Sequence, residues 1–270
     1  MPDPSAVDAA VAVLADLREE GHELEALVGE LTEADWARPT PAPGWSIAHQ
    51  IAHLHWTDRA SLLSLTDADG FGLMVEEALK APDTFVDEGA EEGAALPPAD
   101  LLARWRATRA ALDEALAAAS PDTRFPWYGP PMKAASMASA RLMETWAHGQ
   151  DVADALGVRR TPTARLRHVA RIGVRARDYA YAVRGLPAPA EEFRVELTAP
   201  DGAGVWTYGP PDAPQRITGP ALDFCLLVTQ RAHRADLALT ATGPDADRWL
   251  DIAQAFAGPA GAGREPGAAR

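Results

Sequence analysis

Five side chains able to bind or serve a metal ion lie in two short segments that are far apart in the sequence. His49 and His53 belong to the early segment, and Glu144, His148 and Asp151 belong to the late one. Two imidazoles and one carboxylate, with a fourth position left open, are the ligands of a catalytic Zn²⁺ site, whereas structural zinc sites are closed by four protein ligands. The sequence therefore predicts a metal site for Zn²⁺, with Fe²⁺ or Ni²⁺ as alternatives.

The late segment has the spacing of ligands that share one face of a helix. Glu144 and His148 are four residues apart, which is about 40° around a helix axis, so both side chains can reach one ion. Asp151 lies about 60° from His148 on the same stripe. A carboxylate in that position can accept a hydrogen bond from the imidazole and fix its tautomer. We therefore predict that Asp151 is a catalytic-site residue that orients His148.

The early segment offers two competing ligands. His49 and His53 are also four residues apart, in the run Gly-Trp-Ser-Ile-Ala-His-Gln-Ile-Ala-His. Two histidines at this spacing on a helix are found in zinc proteases, but Gln50 stands where those enzymes need a glutamate as general base. The pattern excludes a metalloprotease of that type. The residues alone do not decide which histidine is the ligand.

Composition and charge restrict the class of protein. The chain has 270 residues, 47% of them hydrophobic, and a formal net charge of −14 at pH 7. Because no basic patch for phosphate contacts is evident, we expect no nucleic-acid partner. The sequence contains no apolar run of about 18 residues and no basic-then-apolar signal peptide, so we expect a cytoplasmic protein that does not bind membranes. The single cysteine, Cys225, lies in an apolar run and is expected in the core.

Apolar spacing predicts the helices that must position these residues. The spacing typical of amphipathic helices occurs in five long segments, which are residues 5–31, 46–65, 97–119, 133–156 and 161–184. The first four bury their apolar faces best against one another, which predicts a four-helix bundle. Beyond Pro189, alternating apolar residues with frequent Gly and Pro predict antiparallel strands. The expected fold is mainly α, with a helical bundle over 1–187, a smaller α/β domain over 188–258 and a disordered tail over 259–270.

The two metal-binding segments resemble those of a known family. Pro39-Thr-Pro-Ala-Pro-Gly-Trp-Ser-Ile-Ala-His-Gln-Ile-Ala-His53 and Glu144-Thr-Trp-Ala-His148-Gly-Gln-Asp151 are similar to segments in the N-terminal domain of mycothiol-dependent maleylpyruvate isomerases, within the DinB-like superfamily. The resemblance covers roughly residues 5 to 185. It implies a DinB-like four-helix bundle, with His53, Glu144 and His148 as the Zn²⁺ ligands. It also implies mycothiol or a similar thiol as cosubstrate.

A fainter resemblance continues near the C-terminus. Residues 217–231 are similar to the helix that follows the strands in those isomerases, where an arginine near the helix end helps to hold an anionic substrate or thiol cofactor. Arg231 occupies that place, although Gln230 stands where the family usually has glycine. The resemblance implies that Arg231 is a catalytic and cofactor-binding residue; the alternative is a cation favoured by the helix dipole. Trp56, three residues after His53, is expected to line the cofactor pocket.

Together these features predict a metal-dependent thiol transferase or isomerase that acts on a small electrophile. A thiol bound to a metal loses its proton well below its usual pKa of about 8.5, and the thiolate can attack an electrophilic carbon. Two alternatives stay open. One is a hydrolase, lyase or isomerase that uses metal-bound water, and the other is a non-catalytic protein whose open metal position is filled by a side chain such as His49. DinB-like bundles often dimerise, so a homodimer is one expected assembly.

Overall fold

The structure, a computed structural model, describes residues 4–82 and 84–267, without the side chains of residues 4–10. The chain forms two compact units, Met1–Val158 and Arg159–Arg270. Long helices make up the first unit, and the second combines short helices with a small sheet. This confirms the predicted class, a mainly helical protein with a four-helix bundle and a smaller mixed part.

Four long helices form the bundle of the first unit, and each lies close to a segment predicted from apolar spacing. They are α1 (Pro4–Val28), α3 (Ile47–Thr66), α6 (Pro98–Ala118) and α7 (Ala134–Leu156), with the short α2 (Glu33–Trp36) after α1. Helix α3 packs against α6 and α7, and α1 packs against α7. Helix α7 ends where expected, because Gly157 adopts the left-handed conformation (φ 67°) that glycine favours after a helix.

The apolar faces of these helices pack together in the core. Fully buried core residues come from α1, α3, α6 and α7 and include Leu24, Ile51, Leu54, Trp105 and Val152. Burial of one such side chain contributes about 1.5–3 kcal/mol, so this core holds α3 firmly against its neighbours. Within the described part of the chain, no helix combines the length and apolarity needed to span a membrane.

Two further helices, which the apolar spacing does not predict, cover α3. They are α4 (Ala68–Ala78) and α5 (Phe85–Ala94). Helix α5 lies so close to α3 that a Cβ atom added at Gly93 would be 2.6 Å from the Cβ of Ala52. A side chain at position 93 would therefore push the two helices apart, and glycine permits the approach. As a result, the acidic residues of α5 lie beside the early candidate metal-binding segment.

A two-stranded hairpin, β1 (Arg124–Phe125) and β2 (Met132–Lys133), precedes α7.

The second unit contains a four-stranded sheet in the order β4-β3-β5-β6. Strands β3 and β4 pair antiparallel, as the alternating pattern predicts, whereas β3 and β5 pair parallel and β5 and β6 antiparallel. Strand β5 is not predicted from the sequence, because its residues precede an apolar helix without a break. The elements of this unit are α8 (Leu166–Arg175), α9 (Arg177–Ala182), β3 (Arg194–Thr198), β4 (Val205–Tyr208), β5 (Arg216–Pro220), α10 (Ala221–Val228), β6 (Thr240–Thr242) and α11 (Pro244–Ile252).

The division between the two units lies earlier than the predicted boundary at residues 187 and 188. Helix α8, which the sequence assigns to the bundle, instead packs on α10. A Cβ atom added at Gly173 of α8 would be 2.7 Å from Cγ2 of Val228. This close packing places α8 in the second unit.

The end of the chain also differs from the expected disordered tail over residues 259–270. The backbone amide of Gly267 donates a hydrogen bond to Oδ2 of Asp236 at 2.9 Å. Arg184 Nη2 donates to the carbonyl oxygen of Gly261 at 3.3 Å. Residues 259–267 therefore have defined contacts in the second unit, and residues 268–270 lie outside the described part of the chain.

Cys225 is a core residue, and this placement predicts its reactivity. The side chain is fully buried in α10, and burial raises the pKa of the thiol above its usual range. Because the thiolate is the reactive form, we expect no reaction with a chromogenic disulfide reagent in the native protein. One thiol per chain should react in denaturant, and a Cys225→Ala variant should show none. Rapid labelling of the native protein would contradict the buried placement.

Candidate metal centre

His53, Glu144 and His148 lie together in the first unit. His53 is on α3, and the other two residues are one turn apart on α7. Oε2 of Glu144 is 3.4 Å from Nε2 of His53 and 3.3 Å from Nε2 of His148. Only 10%, 21% and 12% of the His53, Glu144 and His148 side chains are exposed. The structure thus brings together the three residues that the sequence resemblance implies as metal ligands.

The spacing and chemistry of these three side chains fit a divalent cation. Zinc takes nitrogen and oxygen ligands at about 2.0–2.2 Å in a tetrahedral arrangement, which separates neighbouring ligand atoms by about 3.3–3.5 Å. The observed distances of 3.3 and 3.4 Å match that separation. One ligand atom from each residue also lies within 4.8 Å of the other two. The cluster can therefore hold one metal ion and leave a fourth position for another ligand.

The electrostatics of Glu144 favour cation binding. Burial by itself would raise the pKa of its carboxyl group, but hydrogen bonds and positive charge from His148 and His53 hold that pKa well below its usual range. Glu144 is therefore an anion at neutral pH. In the His53 ring, the nitrogen that faces away from Glu144, Nδ1, is buried without a hydrogen-bond partner among the described residues.

His49 is placed outside the metal cluster. Its Nδ1 lies 2.8 Å from Oγ of Ser46 and 3.3 Å from the Ser46 backbone nitrogen, where it caps the first turn of α3. Its Nε2 lies 2.7 Å from Oε2 of Glu91 on α5. Both ring nitrogens are engaged with these partners, so His53 is the member of the early pair that joins the candidate cluster. His49 is also unsuited to fill the open metal position.

The structure places a residue that was not predicted, Gln50, against His148. Nδ1 of His148 lies 2.5 Å from Oε1 of Gln50, a fully buried residue of α3. Asp151, which helical spacing predicts to orient His148, is buried on α7, and that role stays a prediction. Helical spacing identifies neighbours on the same helix, whereas Gln50 lies on the helix that packs across the bundle. The sequence feature that could have indicated this contact is the polar Gln50 among the apolar positions of α3.

A buried ion pair joins the two helices that carry the ligands, and the sequence analysis does not identify it. Nε of Arg141 donates to Oδ1 of Asp58 at 2.9 Å, and Nε1 of Trp105 donates to Oδ2 of Asp58 at 3.2 Å. Asp58 and Arg141 are 3% and 2% exposed. Asp58 follows His53 on α3, and Arg141 lies one turn before Glu144 on α7. The pair therefore helps to set the relative positions of the ligands.

Aromatic rings cover one side of the metal cluster. The Trp45 ring stacks on His148 with centroids 6.0 Å apart, and its centroid is 5.3 Å from that of His53. The Trp56 ring, which the sequence predicts beside the cofactor, is 6.4 Å from His53. Trp56 continues into a cluster of rings that comprises Phe71, Phe85, Trp127 and Tyr128. The candidate metal ligands thus have an apolar wall of aromatic rings on one side.

Arg231 lies in the second unit, just after α10. Its Nη1 donates a hydrogen bond to the carbonyl oxygen of Thr229 at 2.7 Å. The preceding residue, Gln230, has a φ of 60°, in the left-handed region that glycine adopts more readily. Gln230 therefore preserves the backbone turn of the glycine that the resemblance leads us to expect there. A function for Arg231 in catalysis or cofactor binding stays a prediction.

Comparison with protein families gives two matches along the chain. The model described as "Mycothiol maleylpyruvate isomerase N-terminal domain" matches residues 17–153, which include all three candidate ligands. A second model, described as "Wyosine base formation", matches residues 189–242. Two proteins from strains of Mycobacterium tuberculosis, both described as uncharacterized, are each 58% identical to the chain over 251 residues. These alignments cover 93% of this chain and 97% of each relative.

Two solved structures share the fold. They are a mycothiol-dependent maleylpyruvate isomerase and a histidine-to-alanine mutant of such an isomerase, with 19% and 17% sequence identity. Each gives a TM-score of 0.57 and covers 87% of this chain and 95% of the other. At this level of identity the likeness establishes the architecture of the chain.

Proposed function

This chain belongs to the family of the mycothiol maleylpyruvate isomerase N-terminal domain, and from that membership we propose that it is a metal-dependent thiol transferase or isomerase. The observation that carries the proposal is the convergence of His53, Glu144 and His148, whose donor atoms have the spacing of ligands around one ion. We propose mycothiol or a similar low-molecular-weight thiol as cosubstrate, and a small electrophile as substrate.

The ligand set suits activation of a thiol. Two neutral imidazoles and one carboxylate leave a divalent cation with a net charge near +1 and one open position. When bound there, Zn²⁺ would favour the thiolate over the neutral thiol. The buried Glu144 supplies the negative charge that retains the ion. The adjacent Trp45 ring limits access of water to the two imidazoles.

The nucleophile must come from outside the chain, because the chain has a single cysteine and its thiol is buried in α10. A free thiol cosubstrate is therefore consistent with the composition as well as with the family. Trp56 lies beside His53 and is proposed to contact this cosubstrate. Arg231 is proposed to steer an anionic group of the substrate or cosubstrate.

The proposed reaction is balanced without an oxidant or reductant. The thiolate adds to one carbon of an activated alkene, so that a C–S bond forms while the π bond breaks and its electron pair moves to the activating group. Rotation about the resulting single bond, followed by cleavage of the C–S bond, gives an isomerised alkene and returns the thiol. If the adduct instead takes up one proton before release, the product is a thioether and the protein acts as a transferase.

We expect a thiol to coordinate directly to the metal-loaded protein. The test is to measure bound metal in the purified protein, replace it with Co²⁺, and titrate with mycothiol. Coordination should produce a sulfur-to-cobalt charge-transfer band in the near ultraviolet, because the thiolate occupies the open position. The disulfide form of mycothiol is the matched control, since it has the same sugar groups and no free thiol.

Two results would contradict the proposal. A protein that binds no metal would remove its basis. A Co²⁺ form whose spectrum is unchanged by mycothiol would exclude thiol activation and leave metal-bound water as the reactive species. Cys225 does not interfere with either measurement, because its thiol is buried.

A further inference from the structure

We infer that Gln50 is a positioning residue, which presents His148 to the metal through a buried relay of hydrogen bonds that begins in the loop before α3. This inference rests on the metal site of the proposed function. Gln50 is fully buried, and both ends of its amide have partners. Nε2 lies 2.9 Å from Oγ1 of Thr40, and Oε1 lies 2.5 Å from Nδ1 of His148.

The direction of the relay follows from a count of protons. Oγ1 of Thr40 lies 2.8 Å from the backbone carbonyl oxygen of Trp45, and a carbonyl oxygen can only accept. The single hydroxyl proton of Thr40 is therefore used on Trp45. The same hydroxyl oxygen can then only accept from Gln50, which places the NH₂ group of the amide toward Thr40. The carbonyl oxygen of that amide consequently faces His148.

The orientation of Gln50 determines the tautomer of His148. Because Oε1 is an acceptor, Nδ1 of His148 must carry a proton. In the neutral ring, Nε2 then carries a lone pair instead of a proton, and it faces the carboxylate of Glu144 at 3.3 Å. A lone pair that faces a carboxylate oxygen is repelled unless a proton or a metal cation lies between them. The relay therefore prepares Nε2 as a metal ligand, and Glu144 completes the attraction for the ion.

An amide has a different effect from a carboxylate in this position. A carboxylate that accepts from Nδ1 raises the basicity of the ligating histidine and adds a negative charge near the metal. Gln50 provides the same directional hydrogen bond without that charge. The ion consequently keeps more of its positive charge for the ligand at the open position. A neutral acceptor such as Gln50 is thus suited to a site that binds and activates an anionic ligand.

The test compares three variants through their metal affinity, measured by competition with a chromogenic chelator, and through the Co²⁺ absorption spectrum. Gln50→Leu removes the acceptor while keeping similar volume, and it should weaken binding by about 10–100-fold with an altered spectrum. Gln50→Glu restores an acceptor and should recover the affinity. Thr40→Val, a milder change that releases the amide from its fixed orientation, should weaken binding by about 2–10-fold. It serves as the second variant if Gln50→Leu does not fold.

Gln150→Leu is the matched control, since Gln150 lies on α7 and bonds to Asp154 instead of the cluster. It should bind metal like the wild type. Wild-type affinity in Gln50→Leu or in Thr40→Val would overturn the inference, and so would a Gln50→Glu variant that binds as weakly as Gln50→Leu. These results would leave the proposed function intact. Absence of metal binding in the wild type would instead overturn both.

Discussion

Replacement of Glu144 by glutamine is expected to lower the affinity of the protein for Zn²⁺ by at least about 100-fold. Loss of a hydrogen-bonding partner of a ligand alone costs about 10–100-fold, and Glu144→Gln removes the only negative charge among the three donors. The substitution keeps the size of the side chain, so the buried packing around α7 should be preserved. Competition with a chromogenic chelator measures the affinity, and the thermal unfolding temperature reports on the fold.

The matched control for this prediction is Glu91→Gln. Glu91 also contacts a histidine, with Oε2 placed 2.7 Å from Nε2 of His49, but it lies outside the metal cluster. This control should bind Zn²⁺ with wild-type affinity. Equal loss in both variants would indicate a general effect of charge on the surface of the protein. Wild-type affinity in Glu144→Gln would remove Glu144 from the ligand set.

Replacement of Asp58 by asparagine is expected to destabilise the folded protein by about 3–5 kcal/mol. Removal of one partner from a buried ion pair leaves the other charge without compensation in a medium of low polarity. Arg141 would be that uncompensated charge, and its Nη2 is already buried without a hydrogen-bond partner among the described residues. Urea unfolding at pH 7 measures the change. Because the pair connects the ligand helices, metal affinity should fall as well.

Two further variants separate this effect from simple loss of a hydrogen bond. The double variant Asp58→Leu with Arg141→Met removes both charges and should recover much of the stability lost in the single variant. Asp113→Asn breaks the more exposed pair with Arg18, whose atoms are 2.6 Å apart, and should cost about 1 kcal/mol or less. A single Asp58→Asn variant as mild as Asp113→Asn would show that the buried pair is not important for stability.

The long helices could be predicted because their apolar spacing reflects a simple arrangement, in which each helix buries one face. Helices α4 and α5 were missed because they are short and each contains two glycines, which disfavour a helix, and because they are stabilised by close contact with α3. Gly93 illustrates this, since its lack of a side chain becomes meaningful only where Ala52 lies against it. Helix α8 has a clear amphipathic pattern, yet the pattern does not say which unit its apolar face will join.

The candidate site, like the fold, could be predicted only in part from the sequence. Residue types and helical spacing, with the family resemblance, identified His53, Glu144 and His148, and the structure places these three together. Spacing along one helix suggests Asp151 as a partner of His148, but it could not indicate the contact with Gln50, which lies on another helix. His49 and His53 are indistinguishable by spacing.

The sequence by itself determined the donor chemistry of this protein, the helices that carry it, and the absence of a usable thiol of its own. Tertiary structure alone decided which early histidine joins Glu144 and His148, which side chain of α3 contacts His148, and which charges are buried together. The physical reason is that a helical pattern specifies the direction of a side chain relative to its own axis. Contacts such as Asp58 with Arg141 depend on how neighbouring helices are placed, and that placement is set by packing of the whole core.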